Sequence, residues 1–128
     1  MRWLIVALVV LPGAASAQQG FQLPSRNIFC EVEDNAVRCD LVDYTFARPP
    51  RPPNCDFDWG HSYAVGARGE PRVLCGGDTV ANLGARVLRH GARWDGAGVT
   101  CCAEQSGLEC INADGRGFEI SRTVLNRF

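Results

Sequence analysis

Apolar and polar positions alternate along most of this chain in short stretches, each closed by Gly, Pro or an Asp/Asn pair. A period of two is the signature of a strand with one buried face. It predicts strands over 27–33, 36–42, 62–65, 72–75, 85–88, 98–103, 108–112 and 117–121. No stretch of ten or more residues repeats at helical spacing. The one helical signal is Ser121-Arg122-Thr123-Val124-Leu125, where Ser121 is placed to cap a single C-terminal turn. The fold class is therefore all-β, built from hairpins as a small barrel or a sandwich, between which the pattern does not choose.

One hairpin can be written residue by residue. Asp34-Asn35 suits a two-residue turn, which sets Val32 opposite Val37, Cys30 opposite Cys39 and Ile28 opposite Leu41 on an apolar face. Glu31 then meets Arg38, and Phe29 meets Asp40, on a face expected to be wet. The two Cys fall on a non-hydrogen-bonded pair, where Cα atoms lie ~4.5 Å apart, a spacing that a disulfide accepts.

The first residues change the setting of those cysteines. Met1-Arg2, an apolar run from Trp3 to Leu11, Pro12-Gly13 and the small triplet Ala15-Ser16-Ala17 read as a secretory signal peptide cleaved after Ala17. The run is too short for the roughly 20 residues of a membrane-spanning helix. Residues 18–128 are expected to be one secreted or periplasmic domain with no membrane span. All 7 Cys lie in that part, so disulfides are the default expectation in an exported chain. No CxxC pair or Cys/His cluster offers a metal site, and no cofactor is expected.

With Cys30 set against Cys39 and Cys110 against a Cys of the 101–102 pair, Cys55 and Cys75 are left for each other, flanking an expected hairpin whose turn lies within 67–70. Around Gln105-Ser106-Gly107, a two-residue turn opposes Cys101 to Cys110, and a three-residue loop opposes Cys102 to Cys110. Either way one thiol is left over. On the chain-entropy account each short closed loop contributes about 3 kcal/mol.

Composition excludes more than it suggests. A formal charge of −1 gives no electrostatic footprint for nucleic acid, and 46% hydrophobic against 21% charged residues excludes global disorder. Every basic residue is Arg; the absence of Lys removes Schiff-base and P-loop chemistry.

Candidate chemistry concentrates at Cys55-Asp56-Phe57-Asp58-Trp59-Gly60-His61. An extended backbone puts Asp56 and Asp58 on one face beside an aromatic ring, as a glycosidase or a sugar platform would use them. The bland alternative has both carboxylates capping turn amides and Trp59 filling space by the disulfide. His61 is a candidate base, but adjacent Ser62 points to the opposite face of a strand and cannot complete a dyad. Gly76-Gly77-Asp78-Thr79 is expected to turn with its carboxylate on local amides. Arg86, Arg89 and Arg93 with Trp94 form a further candidate binding patch. The 48–53 segment, Arg-Pro-Pro-Arg-Pro-Pro, must be an extended loop, since Pro cannot donate to a ladder.

The segments Phe21-Gln22-Leu23-Pro24-Ser25-Arg26-Asn27-Ile28-Phe29-Cys30, Val37-Arg38-Cys39-Asp40, Cys55-Asp56-Phe57-Asp58-Trp59-Gly60, Cys75-Gly76-Gly77-Asp78-Thr79 and Gly117-Phe118-Glu119-Ile120-Ser121-Arg122 together resemble a family of small exported bacterial proteins of unknown function. The resemblance spans nearly all of 18–128. It implies export and a disulfide framework, favours Cys101 over Cys102 as the partner of Cys110, and leaves Cys102 as a free thiol. Two positions depart from the pattern: Arg26 stands where Gly is usual, and Cys102 is additional. Two functions are expected from these residues. One is a noncatalytic exported module that binds a protein or an envelope component; the other is a small hydrolase using Asp56, Asp58 and His61.

Overall fold

The computed structural model describes residues 4–7 and 19–128. The predicted cleavage point at Ala17 lies outside these residues. Among them no helix is long and apolar enough to cross a membrane.

Among the described residues ten strands form in chain order: β1 (Gly20–Gln22), β2 (Ile28–Glu33), β3 (Ala36–Leu41), β4 (Asp58–Gly66), β5 (Arg72–Gly76), β6 (Arg93–Gly96), β7 (Val99–Glu104), β8 (Gly107–Asn112), β9 (Gly117–Ile120) and β10 (Leu125–Arg127). The first five make one antiparallel sheet in the order β1-β2-β3-β4-β5, and the last five a second in the order β10-β9-β8-β7-β6. The architecture is a sandwich of two sequential meanders and not a closed barrel. Every neighbour in a sheet is a neighbour in sequence, as short turns between alternating strands require.

The first hairpin has the register its pattern dictates, with Ile28↔Leu41, Cys30↔Cys39, Val32↔Val37 and Glu33↔Ala36. Asp34 and Asn35 both take positive φ, 52° and 59°, as a turn that follows the right-handed strand twist demands. Disulfides join Cys30 to Cys39 and Cys101 to Cys110, each with Cα atoms 4.1 Å apart, and Cys55 to Cys75 at 5.8 Å. Glu104 pairs with Gly107 around the two-residue turn, which selects Cys101 for Cys110. Cys102 is left free on the outer face of β7.

Between the sheets lies one apolar cluster. Phe21 of β1 meets Trp94 of β6 with ring centroids 5.1 Å apart, and Tyr63 of β4 meets Phe118 of β9 at 6.4 Å. Aromatic rings thus bridge the sheets at two places, while both hairpin disulfides point into the same core. Trp94 belongs to this core.

Three departures from the pattern have physical causes. The 85–88 stretch is no strand; only Val87 bridges Gln22, in parallel, because this segment arrives as a crossing loop at the β1 edge. Ser121 does cap, accepting from the N–H groups of Thr123 (3.2 Å) and Val124 (3.0 Å). No helical turn follows, because Leu125 pairs with Ile120 and extends the sheet as β10. The face of β2–β3 opposite the core is not wet: Arg38 and Asp40 are only 3% and 2% exposed. The chain between β5 and β6 crosses over that face, touching Arg38 and Asp40 near Asp78–Val80 and Gln22 near 83–88.

Candidate functional site

Two polar constellations are built by residues far apart in sequence. The first lies under the crossing strap. The Arg38 guanidinium donates from Nε to Asp40 Oδ1 (3.0 Å) and Ser62 Oγ (3.1 Å), and from Nη2 to Asp40 Oδ2 (3.0 Å) and the Asp78 carbonyl (3.3 Å). Its Nη1 donates to Glu33 Oε2 (3.1 Å) and Asp78 Oδ1 (3.1 Å). Ser62 donates its hydroxyl to Asp40 Oδ1 at 2.6 Å, and the Val80 N–H donates to Asp40 Oδ2 at 3.1 Å. All five N–H donors of the guanidinium have partners. Burial opposes the charge on Arg38, yet the Asp40 and Asp78 hydrogen bonds and the Asp40 and Glu33 charges outweigh it and raise its pKa. Nearby Glu31 is pushed above the usual carboxylate range, first by burial and then by the repulsion of Glu33.

This network corrects one expectation and explains two sequence segments. The Asp78 carboxylate serves Arg38, forty residues away, and not its own turn. Gly76 is buried beside this network, where a Cβ would sit 3.4 Å from Arg38 Nη2, an ordinary packing distance. Val37-Arg38-Cys39-Asp40 and Cys75-Gly76-Gly77-Asp78-Thr79 are therefore two halves of one ionic clasp, buried at Arg38 and Asp40 and exposed at Asp78. Ser62 is consumed in it, with no freedom to act as a nucleophile.

The second constellation is a cleft of about 750 Å³ at one end of the sandwich. It is lined by the β1–β2 turn (Leu23, Pro24, Ser25, Arg26, Asn27), Asp43 after β3, His90 before β6, the β7–β8 turn (Glu104, Gln105, Ser106, Gly107) and the β9–β10 turn (Ser121, Arg122, Thr123). The registers Ile28↔Leu41 and Leu108↔Ile120 bring these turns to the same end. Asn27 fixes the position of Asp43 by donating Nδ2 to its carbonyl (2.9 Å) and accepting its N–H on Oδ1 (2.7 Å). The Arg122 carbonyl accepts the Thr45 N–H at 2.8 Å. Arg26 sits at φ 58°, the left-handed region that favours Gly. The Pro-Ser-Arg-Asn and Ser-Arg segments, some hundred residues apart, thus form two walls of one cleft.

The residues singled out from the sequence fall elsewhere. Asp56 and Asp58 are exposed and His61 is half-buried, and none of the three lines this cleft. None of their side chains makes a hydrogen bond or ion pair among the described residues, so the two carboxylates cap no turn amide. Trp59 lies opposite Cys75 and donates Nε1 to the Pro49 carbonyl at 2.8 Å. Gly60, at φ 98°, lets Arg48 pass where a Cβ would come within 2.8 Å of it. Arg51 donates to the carbonyls of Cys55 (3.0 Å) and Phe57 (2.7 Å). In the structure the Asp56–His61 segment thus docks the proline-rich loop. Arg86 and Arg89 are exposed, Arg93 is engaged by Asp95 at 3.0 Å, and Trp94 is 7% exposed on the inward face of β6. Trp94 is thus part of the core and not of an exposed patch with these Arg residues. Among the described residues no group of three or more His, Cys, Asp or Glu is placed to hold a metal ion.

Sequence reasoning missed Arg38, Asp40 and Asp78 as a unit, and the cleft residues Asn27, Asp43, Glu104 and Arg122. The available signal for the first was an Arg and an Asp two apart on one strand, which puts both on one face. For the cleft, the signal was that two of the segments carrying the resemblance border turns.

A two-sheet β-sandwich stapled by three disulfides, with turns gathered around a polar cleft, is the class of protein these observations define; such bonds persist in oxidising, extracytoplasmic surroundings. The chain belongs to a family of unknown function, DUF6636, which matches residues 3–128. No curated protein and no solved structure matches it.

Proposed function

We propose that this is an exported, noncatalytic binding module of the bacterial envelope: residues 1–17 direct export and are removed, and residues 18–128 form one domain that presents the end cleft to a ligand. The observation that carries this reading is the cleft itself. Five separate chain segments converge on it, hydrogen bonds hold the backbone at Arg26, Asp43 and Arg122, and among the described residues the side chains of Arg26, Asp43, Glu104 and Arg122 make no ion pair or hydrogen bond. Rigid scaffolds that hold polar loops at one end are a common way to build a binding surface. The disulfides support export, since such staples form after translocation. The noncatalytic part rests on Ser62 being tied to Asp40 and on Asp56, Asp58 and His61 lying away from the cleft.

The test is affinity capture from bacterial envelope fractions with the oxidised protein. An Arg26→Gly/Arg122→Gln double variant should retain the fold and lose the captured component. If capture survives in that variant, or if Asp56→Asn/Asp58→Asn abolishes it without unfolding, the end cleft is not the functional surface.

A further inference from the structure

The cleft holds opposite charges that do not use one another. Arg26, Arg122, Asp43 and Glu104 all line it, yet none of their side chains enters a salt bridge or a side-chain hydrogen bond among the described residues. Each is carried by a backbone that is fixed. The Arg26 N–H donates to the Leu23 carbonyl at 3.0 Å, and the backbone there, at φ 58°, is in the left-handed region that disfavours a side chain. Asp43 is held at both backbone groups by Asn27, and Arg122 by Thr45 and the Ser121 turn. Fixed backbones with uncommitted charged ends lower the ordering cost of binding. His90 adds an imidazole at the rim, and Gln105 and Ser106 add neutral polar groups.

We infer that the cleft binds a short zwitterionic peptide, its carboxylate on the guanidinium groups of Arg26 and Arg122 and its ammonium on the carboxylates of Asp43 and Glu104. This rests on the reading of the end cleft as the binding surface and adds the class of ligand. A polyanion is disfavoured because Asp43 and Glu104 repel it, and a polycation because the two Arg do. Only a ligand with both signs uses all four groups. A volume of about 750 Å³ suits several residues better than one amino acid.

The probe is trialanine with free ends, titrated into the oxidised protein and followed by amide chemical shifts, beside its N-acetyl and C-amide forms and inorganic phosphate. Free trialanine should perturb the cleft turns. Blocking either end should weaken binding about tenfold, the worth of one charge-assisted hydrogen bond. Arg26→Gly, which also restores the residue suited to φ 58°, should weaken the free peptide by a similar factor and leave the C-amide form unaffected. Asp43→Asn should weaken the free peptide and leave the N-acetyl form unaffected. Equal affinity for free and blocked peptides, tighter binding of phosphate alone, or no shifts at millimolar trialanine overturns the inference. If trialanine fails while envelope capture is still lost in Arg26→Gly/Arg122→Gln, the ligand class is wrong and the cleft reading stands. If capture is also indifferent to those substitutions, both are wrong.

Discussion

Replacing Arg38 by Met is the sharpest test of how the crossing strap is held. The residue is 3% exposed, and its side chain bonds Asp40, Ser62, Glu33 and Asp78. Its removal leaves Asp40, 2% exposed, with only the Ser62 hydroxyl and the Val80 N–H as donors. Breaking a buried pair by deleting one partner costs about 3–5 kcal/mol, against a whole stability of about 5–15 kcal/mol for a domain. Glu33 is partly and Asp78 mostly solvated, and both contribute less of this. Urea unfolding of the oxidised protein should therefore show Arg38→Met less stable by about 3 kcal/mol or more. An Arg38→Met/Asp40→Leu double variant should recover at least about 1 kcal/mol of that loss, since it leaves no buried charge unpaired. Amide exchange at Asp78–Val80 should accelerate in the single variant. A loss below about 1 kcal/mol, or a double variant that simply sums the two single losses, would refute the reasoning.

Other consequences are as direct. Ala97 takes φ 52° in the β6–β7 turn, ahead of Gly98 at 74°; Ala97→Asn should stabilise by about 0.5 kcal/mol in the same urea assay, because Asn tolerates that region and Asn-Gly is the favoured pair. Removing both cysteines of the Cys55–Cys75 bridge should cost about 3 kcal/mol, while Cys102→Ser should leave stability and the non-reducing peptide map unchanged. Burial, then the field of Tyr44, pushes the Tyr63 phenol up from 10.0 to about 12. The unfolded chain then ionises first, so this contribution is complete below about pH 10 and is lost as pH rises towards 12. Unfolding free energy measured across that window should fall, and Tyr63→Phe should flatten the slope.

How much of this was legible depends on whether the information was local. The β2–β3 register could be read because alternation, a turn dipeptide and two Cys all agree within fourteen residues. The β7–β8 hairpin was ambiguous by one residue for an equally local reason, adjacent cysteines beside a Gly that admits two turn types. Alternation tells which residues share a face, but not what lies over that face. Arg38 and Asp40 were correctly set on the side away from the core and wrongly left in water, since the covering strap comes from residues forty positions later. The same limit hid the cleft: each turn has ordinary turn chemistry, and only the packing of two meanders brings the turns that carry Arg26 and Arg122 to one cleft. Asp56, Asp58 and His61 drew notice because they are close in sequence, and the segment they belong to proves to dock a proline-rich loop.

The central claim is that the end cleft, and not the Asp56–His61 segment, meets the ligand. The most direct measurement is amide shift mapping of the oxidised protein during titration with the component captured from envelope fractions. Perturbations should concentrate at Arg26, Asp43, Glu104 and Arg122. Perturbations concentrated at Asp56, Asp58 and His61, with the cleft turns silent, would contradict it.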